Sequence, residues 1–150
     1  MQRLLVFALV SSLALLALLP GSASAALPRA GVYHGGIAGV DTSGDGWFKA
    51  KKTTSGWRLV GPGGAIPAVV VPTDLTCNEG AAFLPVNLKV QADGSFSWKG
   101  VIATIGIDLS DVTVTFKGSF VTRRKATGTT KVVGDTCTSG ADPWTMLLEA

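Results

Sequence analysis

Val112-Thr-Val-Thr-Phe-Lys-Gly-Ser-Phe120, the polar tip Thr122-Arg-Arg-Lys125 and Ala126-Thr-Gly-Thr-Thr-Lys-Val-Val133 form the stretch whose reading decides the fold. Apolar and polar residues alternate on both arms, the period of a β-hairpin half buried against a core. Successive strand side chains point to opposite sides, so Val112, Val114, Phe116 and Phe120 share the buried face. Thr113, Thr115, Lys117 and Ser119 share the other. Keeping these faces consistent across the tip requires a loop of odd length, so Phe120 should face Ala126 or Gly128. Gly118 and Gly128 then leave a slot that a large ring from an opposing sheet should fill.

The residues before this hairpin read the same way. Gly31 to Ile37 is expected as a first strand, with His34 facing away from Tyr33. In Trp47 to Lys52, Phe48 and Ala50 oppose Trp47, Lys49 and Lys51, so one of the two aromatics must point outward. A turn over Thr53 to Gly56 leads into Trp57-Arg-Leu-Val60, with Trp57 and Leu59 on one side. Val69 to Val71 is a short apolar run, and Trp98 to Ile107 a strand with both faces partly covered.

Around Ala92-Asp93-Gly94, loop length decides which residues meet. A two-residue Asp-Gly loop would oppose Gln91 to Phe96 and mix the faces. A three-residue loop opposes Val90 to Phe96 and Leu88 to Trp98, and it sets Gly94 at the left-handed position such loops require. The three-residue form is expected, followed later by a closing strand over Thr145 to Leu148. The whole reads as an all-β, single-domain antiparallel β-sandwich of about eight or nine strands, a β-barrel being the alternative.

Met1 to Ala25 has the pattern of a secretory signal peptide: Arg3, the apolar run Leu4 to Leu19, then Ala23-Ser-Ala25. The run is short for a bilayer span and ends in Pro20-Gly21, so no integral membrane span is expected after processing. Residues 26–150 would then form one secreted domain, extracellular or in the cell envelope. Without Arg3 twelve basic residues face ten acidic ones, too slight an excess to argue for nucleic acid. In an oxidising compartment Cys77 and Cys137 are expected to form one disulfide. Closing that loop of about 60 residues is worth roughly 4 kcal/mol in the chain-entropy treatment. Zinc is the weaker alternative, since His34 is the only histidine.

Tyr33-x-Gly35, the Cys77 loop, Asp93-Gly-Ser-Phe-Ser97, Gly118-Ser-Phe120, Ala126-Thr-Gly-Thr129, Cys137-Thr-Ser-Gly140 and Pro143-Trp-Thr145, in this order, resemble a pattern of small secreted bacterial β-domains. The resemblance spans nearly all of the chain after Ala25 and rests on turn, core and disulfide residues. It implies the fold and export, and it brings no catalytic residues.

Three clusters are candidate sites. Asp41, Ser43 and Asp45 alternate along a glycine-rich turn as calcium-loop ligands do, although Lys52 stands where such a loop needs glutamate; an ordinary hairpin connection is the plainer reading, and no other cofactor is indicated. Trp47 shares its face with Lys49 and Lys51, so of the four tryptophans it is the one placed to stack on a sugar, the others reading as core. Arg123, Arg124 and Lys125 at a hairpin tip are placed to meet an anionic polymer, or to act as a solvated turn that discourages edge pairing.

For catalysis, His34 has no serine, cysteine or carboxylate at a motif spacing, and Asp41 with Asp45 and Asp108 with Asp111 sit in turns. A secreted or cell-surface binding or structural domain is therefore expected, its partner an extracellular polysaccharide or protein. A small hydrolase with carboxylates assembled from loops, and an inhibitor or accessory protein of another exported protein, are the rival classes.

Overall fold

The computed structural model describes residues 26–37, 46–61, 69–71, 82–84, 87–103, 111–134 and 138–150. The leader, the Asp41, Ser43 and Asp45 loop, and both Cys77 and Cys137 lie outside the described residues. Among the described residues ten strands follow one another: β1 (Gly31–Ile37), β2 (Gly46–Thr53), β3 (Gly56–Val60), β4 (Val69–Val71), β5 (Ala82–Leu84), β6 (Leu88–Lys89), β7 (Ser95–Ala103), β8 (Asp111–Thr122), β9 (Lys125–Val133) and β10 (Asp142–Leu148).

All ten belong to one antiparallel sheet in the order β5-β4-β2-β1-β10-β9-β8-β7, with β3 beside the latter part of β2 and β6 beside β3. A tight corner joins β6 directly to β7, so the curled sheet returns almost to itself. The described residues are all-β and antiparallel as expected. The expected sandwich gives way to its alternative, a nearly closed barrel, because pairing runs unbroken from β6 round to β7 and leaves no second sheet to pack against among the described residues.

The central hairpin keeps its predicted faces. Val112, Val114, Phe116 and Phe120 are each no more than 4% exposed, and Phe120 stands opposite Ala126. The odd loop length arises from a two-residue turn, Arg123-Arg124, plus a register shift that leaves Val121 unpaired, the signature of a bulge. Gly118 and Gly128 are partners across β8 and β9. Trp144 fills the slot they leave: its Cη2 would lie 2.5 Å from a Cβ at Gly118, and its Cζ2 would clash with one at Gly128. The ring comes from β10, the next strand of the same sheet, rather than from an opposing sheet.

Aromatic rings fill the interior. Tyr33 stacks on Phe48 at 5.3 Å, Phe48 meets Phe96 and Phe120 edge-on, and Phe96 and Phe116 both stack on Trp144, the latter at 5.1 Å. Each such pair contributes about 0.5–1.5 kcal/mol beyond the area it buries. Two buried polar atoms, Thr130 Oγ1 and Trp144 Nε1, find no hydrogen-bond partner among the described residues.

The Ala92-Asp93-Gly94 corner has the three-residue form. The Gln91 amide donates to the Ser95 carbonyl at 2.8 Å, Gly94 has φ of 77°, and Val90 and Phe96 are both buried. The Asp93 carboxylate accepts the Ser95 amide and hydroxyl, which hold its pKa below the usual value. Beyond the corner the arms part. Leu88 pairs with Leu59 on β3, and Trp98 with Phe116 on β8, so the expected Leu88–Trp98 pair is replaced by barrel closure. Val101, expected to be partly covered, is 61% exposed because the outward face of β7 carries no second layer among the described residues.

Candidate functional site

The outward face of the sheet is set by the same alternation that builds the core. On β2, Phe48 and Ala50 are fully buried, which turns Trp47, Lys49 and Lys51 outward. On β1, Tyr33 is buried and His34 is exposed. On β10, Met146 is buried and Leu147 is 55% exposed. On β9, Ala126 is buried and Lys125 faces out, half-buried.

Register joins four of these outward residues in one row. Trp47 pairs with His34, His34 with Leu147, and Leu147 with Lys125. The two sequence candidates, Trp47 and the basic tip, thus lie in one transverse row, about 14 Å from end to end at ordinary strand spacing. The His34 and Trp47 rings are 6.3 Å apart and tilted by 35°. An aromatic ring, an imidazole, an aliphatic side chain and an ammonium are presented side by side.

The tip that ends this row is held firmly. The carbonyl of Arg123 accepts the Tyr33 hydroxyl at 2.7 Å and the Arg29 amide at 2.8 Å, and that of Arg124 accepts the Leu148 amide at 2.9 Å. The Tyr33 hydroxyl also lies 2.9 Å from the carbonyl of Arg29 and accepts the Arg29 amide at 3.1 Å. Burial of Tyr33 raises its pKa, so it stays a protonated donor through the neutral range. With its backbone fixed from three sides, the tip projects the exposed side chains of Arg123 and Arg124 from a defined position.

A second basic row lies on the same outward face. Lys51 pairs with Arg58 on β3, and Arg58 with Lys89 on β6. Lys49 stands two residues from Lys51 on the same side of β2. Arg58 and Lys89 were not singled out in the sequence; the alternation around Leu59 and Leu88 gives their facing, but not that β3 lies between β2 and β6. On the opposite flank, β7 to β9 present Lys99, Lys117 and Lys131 among Ser97, Thr115 and Thr129.

The described outward face presents basic, aromatic, aliphatic and hydroxyl side chains. Among the described residues no three His, Cys, Asp or Glu side chains converge as a metal site, and the Asp41, Ser43 and Asp45 candidate falls outside them. Among the described residues no helix is long and apolar enough to cross a membrane. No protein-family model, curated protein or solved structure matches the chain.

Proposed function

We propose that the protein is an exported, extracellular binding domain that holds a glycan against the Trp47–His34–Leu147–Lys125 row, after loss of a leader ending near Ala25. The single observation that carries this reading is the register that merges the aromatic candidate with the basic one. A half-exposed indole covers the apolar face of a sugar ring, while Lys125, Arg123 and Arg124 receive an acidic substituent on the next unit. Rigidity favours the role, because a tip already ordered loses little freedom when a ligand arrives. The outward Lys, Ser and Thr side chains of β7 to β9 suit a sheet bathed in water.

Calorimetric titration of the purified protein with neutral and uronic-acid oligosaccharides tests this. Binding to at least one, lost about tenfold or more in Trp47→Ala, is the expected result for a stacking contact. A panel without binding, or binding unchanged by Trp47→Ala, would overturn it.

A further inference from the structure

We infer that the Lys51–Arg58–Lys89 row, with Lys49, is a separate ionic site for a linear anionic polysaccharide bearing sulfate or carboxylate groups. The assignment does not rest on stacking at Trp47. Lys51, Arg58 and Lys89 stand directly opposite one another on three neighbouring strands. Like charges in that relation repel. Counter-charge is missing from the row: β2, β3 and β6 carry no carboxylate. Among the described residues, Arg58 has only the Ser55 hydroxyl within hydrogen-bonding reach, at 3.4 Å.

An arrangement that costs free energy in the empty protein is relieved when a polyanion lies across it. The cations repeat at about 4.8 Å, one strand spacing, close to the length one sugar ring adds to an extended chain. A string of acidic sugars can therefore meet them one after another. Single-stranded nucleic acid fits less well, since it also asks for rings between the cations on which successive bases stack, and Trp47 stands at the far end of the β2 face, beyond Lys49. Trp57, the one ring on β3, faces inward and packs on the core.

Dextran sulfate and uncharged dextran share a backbone and differ in charge, which makes them the probes. The purified protein should bind the first and ignore the second, with affinity falling as salt rises. Lys51→Glu/Arg58→Glu/Lys89→Glu should weaken binding by about tenfold or more. Lys99→Glu/Lys117→Glu/Lys131→Glu, the same change in net charge on the opposite flank, should leave it within about twofold. Lys51→Gln/Lys89→Gln serves if charge reversal impairs folding: it should bind more weakly while melting no lower than the parent. Equal losses in the two triple variants, equal binding of both dextrans, or tighter binding of a single-stranded oligonucleotide would overturn the assignment. Because Trp47→Ala should leave dextran sulfate binding intact, failure of the stacking site and failure of this one are distinguishable.

Discussion

The hydroxyl of Tyr33 reaches the backbone carbonyl of Arg123 at 2.7 Å, joining residues ninety positions apart in the chain. One phenol thereby ties the first strand, the segment before it and the tip of the central hairpin. Tyr33→Phe keeps the ring contacts with Phe48 and Phe120 and removes only this tie. Because the Arg123 carbonyl still accepts the Arg29 amide, the loss should be about 1–2 kcal/mol in denaturant unfolding. A variant as stable as the parent would contradict the role assigned to the hydroxyl.

Alkaline pH tests the same group differently. Tyr33 is the only tyrosine, so ultraviolet difference absorbance reads its ionisation alone. Burial raises its folded pKa above the ordinary 10.0, so the unfolded chain releases the proton first. Stability from this group is complete below that ordinary value and declines as pH rises through the folded pKa. The native titration should centre above 10.0, and Tyr33→Phe should flatten the alkaline limb of the stability profile.

Gly128 lies beneath Trp144, and a methyl group there meets both the indole and the β8 backbone. Gly128→Ala should destabilise by about 1–3 kcal/mol, the usual cost of overpacking. The double variant Gly128→Ala/Trp144→Leu should lose less than the sum of its parts, since one change makes room for the other. Simple additivity in thermal melts would show that the ring and the glycine are not coupled.

Thr130 is 1% exposed and its hydroxyl has no partner among the described residues. Thr130→Val keeps the shape and removes the desolvated oxygen, so it should raise stability by about 1 kcal/mol. A loss of that size would reveal a partner contributed by residues outside those described.

Local features were legible in the sequence, and long-range neighbours were not. The corner at Ala92-Asp93-Gly94 could be read because parity and one glycine decide it within five residues. The facing of Trp47 could be read for the same reason, since Phe48 must be inside. What joins Trp47 to Lys125 is the pairing of β1 with both β2 and β10, which no local pattern encodes. Trp144 illustrates the limit: its slot was visible in Gly118 and Gly128, but not that the neighbouring strand would fill it. The separation of Leu88 from Trp98 has the same origin, as alternation specifies faces while barrel closure chooses partners.

The pairing of β1 with β10 also governs when the molecule can be finished. Tyr33 lies beside Leu148, so the earliest strand to leave the ribosome waits for the last before it gains its second neighbour. Contacts that span nearly an entire chain form slowly, because loop-closure entropy must be overcome before they bring any return. Without β10 the first strand would keep β2 as its one neighbour, so the seam between the two ends of the chain is the last part of the sheet to close.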